Sequence, residues 1–179
     1  MQKQLRQLIV LLLALVALTA VFLGLRQFNR TQDDVEEEKT GETIVDVAED
    51  DILRFTYDCE GETYVFEKES DTWYYAEDHS LSITQYKIRN MLSMLAPLKA
   101  KQVIENVTDM AQYGLAEPSR TINYETEGAS YIFYVGDYNS VTDVHYIRRP
   151  SENTVYAVSS GTVTIFNKSL EDLVEEEMD

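Results

Sequence analysis

The chain has 179 residues, 15 of them basic and 32 acidic, for a formal net charge of −17. That charge is repelled by phosphate backbones and anionic headgroups, which excludes a nucleic-acid-binding role. A single cysteine, Cys59, excludes an internal disulfide and any paired-cysteine redox or zinc motif.

Leu8 to Leu25 form one apolar run of 18 residues, varied in character only by Thr19 and Gly24. As a helix it would span ~27 Å, close to the ~30 Å hydrocarbon core of a bilayer. Secretory signals have shorter apolar cores and a small-x-small cleavage site, to which Ala17-Leu18-Thr19 is a poor match. No cysteine directly follows the run, which excludes a lipoprotein anchor. Residues 1–30 are therefore expected to be an uncleaved membrane anchor with basic flanks (Lys3, Arg6, Arg26, Arg30), its first partner being the lipid bilayer through Leu8 to Leu25. The flanking charges nearly balance across the run. The short N-terminal tail is expected in the cytoplasm and the large domain outside it, because acidic residues weigh little in setting topology. All 32 acidic residues and only 11 of the 15 basic ones lie beyond Arg30, so that part carries −21.

Residues 31–46 are polar, acidic and without apolar periodicity, which predicts a flexible linker. Residues 47–179 are long enough for one domain with its own core. Alternation predicts a first β-meander: Ile52 to Tyr57, a turn at Glu60-Gly61, Thr63 to Lys68, a turn at Ser70-Asp71, then Thr72 to Tyr75. Ile88, Met91, Leu92, Leu95 and Leu98 recur at helical steps after Thr84, a candidate N-cap, and Pro97 marks the end. Lys101 to Asn106 suits a short strand. Thr108 or Asp109 can cap a single helical turn ending at Tyr113, with Gly114 in the left-handed position after it, Leu115 packing back and Pro118 stopping the helix. A second strand-rich stretch follows at Arg120 to Glu125, Ser130 to Val135, Val144 to Ile147 and Val155 to Val158. Thr162 to Glu177 reads as a C-terminal helix through Val163, Phe166, Leu170, Leu173 and Val174, with Ser169 and Asp172 as a capping box. The fold class expected is α+β: two antiparallel β-meanders joined by a helix, closed by a C-terminal helix.

Tyr57 to Phe66 and Tyr124 to Phe133 align 67 positions apart, matching Tyr, Glu, Gly, Tyr and Phe. Internal duplication and convergence of two glycine-turn hairpins both account for the match.

Chemistry-bearing patterns are sparse. His79 and His145 lack metal-ligand spacing, and no nucleophile-elbow, Walker or zincin motif occurs, so no catalytic, cofactor or metal residue is assigned. Cys59, beside the turn at Glu60, reads as an incidental, partly exposed thiol. The aromatic run Trp73, Tyr74 and Tyr75 offers two readings. Trp73 is a core anchor, or, if exposed beside the two tyrosines, part of a partner-binding surface.

With Trp73-Tyr74, the helix through Met91 to Leu98, Tyr113-Gly114-Leu115-Ala116-Glu117-Pro118, Gly136-Asp137 and Val155-Tyr156 in this order, the chain resembles the bacterial domain-of-unknown-function family 4340. The resemblance covers about residues 1–175. It implies a membrane helix, a charged spacer, a Tyr-Gly-Leu-x-x-Pro motif (Tyr113, Gly114, Leu115, Pro118), a Gly-Asp turn (Gly136, Asp137) and no established catalytic residues. It also implies an extracytoplasmic accessory role beside an ABC-type permease and ATPase or another envelope protein, an association of family rather than of chemistry. The expectation is thus a non-enzymatic, membrane-tethered accessory or binding component. A membrane-anchored envelope hydrolase and a structural assembly module remain as alternatives.

Overall fold

The structure, a computed structural model, describes residues 41–118 and 120–175. The segments expected to be an anchor (1–30) and, up to residue 40, a linker lie outside the described residues. Among the described residues no helix is long and apolar enough to cross a membrane.

The domain is α+β and dominated by one antiparallel sheet of eight strands. In spatial order these are β4 (Thr72–Tyr75), β3 (Glu62–Glu69), β2 (Arg54–Cys59), β7 (Arg120–Glu125), β8 (Ser130–Asn139), β9 (Val144–Arg148), β10 (Val155–Ser159) and β6 (Gln102–Ile104). The two meanders read from sequence are β2-β3-β4 and β7-β8-β9-β10, and they share this sheet through β2 and β7. A separate ribbon pairs β1 (Glu42–Val45) with β5 (Leu98–Ala100). β1 occupies the last residues of the segment read as linker, so order begins before residue 47.

The seam carries the repeat. Tyr57 pairs with Tyr64 and Phe55 with Phe66 in the first hairpin; Tyr124 pairs with Tyr131 and Ile122 with Phe133 in the second. Across the seam Phe55 faces Tyr124 and Tyr57 faces Ile122, with Thr56 opposite Asn123 between them. The two hairpins are thus related by a local two-fold axis through the Thr56–Asn123 pair. Duplication and convergence on one hairpin geometry would both produce this register.

Alternation sends Phe55, Tyr57, Cys59, Tyr64, Phe66, Trp73, Tyr75, Ile122, Tyr124 and Phe133 to one face, where they build the main core. Phe55 and Phe66 stack at 5.0 Å between ring centroids, and Trp73 meets Phe55 edge-on at 5.2 Å. Helix α1 (Gln85–Ser93) covers this face with Ile88, Met91 and Leu92. It is shorter than its apolar stripe predicts. A residue before proline is disfavoured in helical backbone, and the chain leaves the helix ahead of the cis Ala96–Pro97 peptide. Leu95 and Leu98 still reach the core, from a turn and from β5. Thr84 precedes the helix but makes no side-chain cap; its N–H donates instead to the Leu173 carbonyl, 2.8 Å.

The expected C-terminal helix is not formed. Helix α2 spans only Ser160–Thr164, and residues 166–175 cross the core face as an irregular strap. Phe166 and Leu173 are buried as the pattern required, but from turns. The Asp172 carboxylate accepts from both the N–H (2.9 Å) and the hydroxyl (3.2 Å) of Ser169, closing a loop where a capping box would have opened a helix. Strand pairing then captures the chain: Val174 bridges Ile83, and the Glu175 N–H donates to the Ser82 carbonyl, 2.8 Å.

Cys59 ends β2 on its core-facing side and is buried, contrary to the exposed thiol expected beside a turn.

Candidate functional site

Of the residues expected to form the family motif, Tyr113, Gly114 and Leu115 meet Gly136 and Asp137, while Trp73 lies apart in the main core. Ala111–Tyr113 form a single 3-10 turn, started by the Asp109 carboxylate accepting from the Ala111 N–H at 3.0 Å. Gly114 follows at φ 68°. Its N–H donates to the Ala111 carbonyl (3.1 Å), and the Leu115 N–H donates to the Met110 carbonyl (3.0 Å), the paired bonds of a Schellman ending. Leu115 is fully buried with Val107 and Val155, beside Tyr113, Tyr134 and Tyr146. Alternation places Tyr134, Tyr146 and Val155 on the sheet face opposite the main core, so this loop roofs the second half of the sheet. Tyr113 meets Tyr146 edge-on at 4.9 Å, and the Arg148 guanidinium lies over the Tyr134 ring at 4.9 Å.

Gly136 and Asp137 are not a turn. They sit inside β8 at an irregularity where the register to β9 shifts between Val135 and Tyr138. This bulge meets the motif loop directly. A Cβ on Gly136 would overlap the Tyr113 carbonyl oxygen and lie 2.8 Å from Leu115 Cγ. A Cβ on Gly114 would overlap the Asp137 carboxylate and lie 2.8 Å from its backbone nitrogen. The two separated motifs are therefore one contact in which each glycine makes room for the other segment.

Nor do the three aromatics form an exposed patch. Trp73 and Tyr75 point into the core at 4% and 8% exposure. Only Tyr74 faces outward, stacked on His79 at 5.1 Å. Alternation along a four-residue strand separates neighbours onto opposite faces, which rules out a contiguous trio.

The feature best suited to bind something went unread in the sequence. Between the β2–β3 hairpin and the strap lies a groove of about 830 Å³, walled by Tyr64, Tyr75, Leu81, Leu170 and Val174 and edged by Glu60, Glu62, Glu171 and Glu175. It continues past Glu60 and Ser169 into a polar pocket of about 380 Å³ with Arg120, Asn167 and Asp172. At the other end it runs past Leu81 and Glu175 into a slot of about 280 Å³ beside Trp73, Tyr74 and Gln85.

The walls are held firmly. Tyr57 donates its hydroxyl to the Lys168 carbonyl (2.9 Å), and Lys87 Nζ donates to the Asp172 carbonyl (2.6 Å), pinning the strap. Gln85 closes the slot with a complete side-chain set. Its Oε1 accepts from the Trp73 N–H, and its Nε2 donates to the Trp73 and Ile83 carbonyls, each at 2.9 Å. The amide thus takes the place of a ninth strand at that point of the β4 edge.

The phenol of Tyr64 donates to Glu62 at 2.8 Å; that bond, then burial, pushes its pKa up to about 12. Burial, then a bond to Glu77, raises Tyr75. Asp172 is held below the ordinary carboxylate range by the backbone and hydroxyl donors of Ser169. The groove therefore presents neutral phenols beside carboxylates. Arg120, at its far end, is committed to the Asp58 carbonyl at 3.1 Å. Among the described residues no group of His, Cys, Asp and Glu has the arrangement of a metal site. Such a surface can hold a cationic group.

Comparison with curated proteins gives no match, and comparison with solved structures gives none. The model of one family, described as "Domain of unknown function (DUF4340)", matches residues 73–178, more than half of the chain and nearly all of the sheet's second half together with the motif loop and the strap. The chain belongs to that family, DUF4340.

Proposed function

We propose that the chain is a non-enzymatic, membrane-tethered binding component that serves an ABC-type transport system of the bacterial envelope, with its domain on the extracytoplasmic side. The observation that carries the binding reading is the open groove between hairpin and strap, with walls held by hydrogen bonds and a rim of four glutamates. Tethering through Leu8 to Leu25 would hold such a surface at high effective concentration beside membrane partners, so that a weak interface is enough. The transport association rests on the family resemblance.

A hydrolytic role is the less favoured reading. It needs an activated nucleophile or a carboxyl kept protonated at neutral pH. The thiol of Cys59 is buried, and the phenols of Tyr64 and Tyr75 are pushed away from ionisation. In-cell crosslinking of the full-length protein, followed by purification and mass spectrometry, tests the proposal. Recovery of a permease and ATPase pair is the expected result. Recovery of no envelope protein from cells in which the domain is folded and outside would refute it.

A further inference from the structure

We infer that the groove between the β2–β3 hairpin and the strap is the docking site for an extended, lysine- or arginine-bearing segment of a partner protein. The inference rests on the binding role proposed above and names the chemistry of what binds.

Shape argues for a chain rather than a compact ligand. The three compartments adjoin, sharing Glu60 and Ser169 at one junction and Leu81 and Glu175 at the other. A row of adjoining compartments suits an extended backbone with side chains dropping in at intervals.

Charge fixes the sign. Glu60, Glu62, Glu171 and Glu175 come from two segments more than a hundred positions apart, and the fold brings them to one rim. No cation among the described residues pairs with any of the four. Of the nearby bases, Lys87 donates to the Asp172 carbonyl, Arg120 donates to the Asp58 carbonyl, and Lys168 acts on Asp172 rather than on the rim glutamates. The walls supply the second half of the recognition. Tyr64, Tyr75, Leu81 and Leu170 offer apolar surface to the methylene stem of a lysine or arginine while its head meets the carboxylates. An aromatic face beside carboxylates favours a cation over an anion or a neutral chain.

The test uses the purified full chain in detergent and a fluorescein-labelled peptide of alternating lysine and serine, followed by anisotropy, with a glutamate–serine peptide as control. The paired reversals Glu60→Lys and Glu171→Lys should weaken lysine-peptide binding by about tenfold. The equally charged pair Glu117→Lys and Glu127→Lys, exposed and away from the groove, should change it by less than about twofold. Melting curves confirm folding. The neutral pair Glu60→Gln and Glu171→Gln serves if the reversals unfold the domain, with the loss then about threefold. Equal losses in groove and control pairs would reduce the effect to overall acidity and overturn the inference. So would displacement of the peptide by free lysine at matching concentration, because it assigns the groove to a small cation. A permease crosslink that survives the groove reversals sinks this docking site and leaves the transport role standing. Selective peptide binding without any envelope partner in cells does the reverse.

Discussion

The contact between the two glycine motifs makes a sharp prediction at Gly136. Replacing it with alanine adds one methyl group where the Tyr113 carbonyl oxygen and Leu115 Cγ already stand, the latter 2.8 Å from the new atom. Real Cβ atoms do not approach so closely, so either the bulge or the motif loop must move. Neither neighbour is the free end of a flexible side chain. One is backbone in a hydrogen-bonded turn, and the other is fully buried. Overpacking of this kind costs about 1–3 kcal/mol. If the loop lifts instead, burial of Leu115 is forfeited at about 2–3 kcal/mol. The two routes together span about 1–3 kcal/mol, and at about 3–4 °C per kcal/mol for a domain of this size the melting temperature should fall by roughly 3–12 °C. Gly128→Ala is the matched control. It lies in the β7–β8 turn with nothing within 4 Å of the new methyl and without a positive φ. Thermal unfolding of the purified chain, followed by far-ultraviolet circular dichroism, reads both. If Gly136→Ala melts within 2 °C of Gly128→Ala, the two motifs are not a packed contact and the structural account of the family signature is wrong.

Three further outcomes follow from other parts of the fold. Gln85→Glu keeps the shape but removes both donors from Nε2, turning an acceptor toward the Trp73 and Ile83 carbonyls; urea unfolding should show a loss of about 2–4 kcal/mol, and a change under 0.5 kcal/mol would deny the amide its role. His145 is half-buried and its pKa is lowered below 6.5, mainly by burial. The unfolded chain therefore binds that proton first, so stability present above pH 6.5 should decline as pH falls below it, and His145→Phe should flatten that step in unfolding measured from pH 7 to 5. A second decline, through the lowered carboxylates Asp78, Asp143 and Asp172, belongs below their ordinary value of 3.8. Cys59, buried at the end of β2, should resist a thiol reagent in the folded chain and react fully in urea; rapid labelling of the native protein would contradict its placement.

Where order is set by neighbours in sequence, the chain could be read directly. The hairpins follow from alternation at Phe55-x-Tyr57 and Tyr64-x-Phe66. The turn at Tyr113-Gly114-Leu115 follows from the need for a left-handed residue. Cys59 continues the inward series Phe55, Tyr57, Cys59, and that alternation rather than the adjacent turn sets its burial. Competition between distant segments was not legible. The stripe Phe166, Leu170, Leu173 fits a helix, but backbone partners at Ser82 and Thr84 take the strap instead, and nothing local announces them. For the same reason Glu60 and Glu171 looked like two scattered charges in an acidic chain. The groove exists only because a strap and a hairpin far apart in sequence meet. Gly136-Asp137 has the composition of a turn, and only its fit against Gly114 explains why it stays within a strand.

The local two-fold axis at Thr56 and Asn123 also bears on how the chain reaches this state. The pairings β2–β3, β3–β4, β7–β8, β8–β9 and β9–β10 each join strands adjacent in sequence, so each half can zip up from its own turns. The β2–β7 pairing is different. Closing it must bring Thr56 to Asn123 across the entire helix and motif loop, which places it among the slower events of folding. Until it closes, β2 and β7 are both open edges with matching registers. A β7 from one nascent molecule would find in the β2 of another the same Tyr57–Ile122 and Phe55–Tyr124 partners it awaits at home. Exchange of halves between nascent molecules is thus the characteristic error this topology invites.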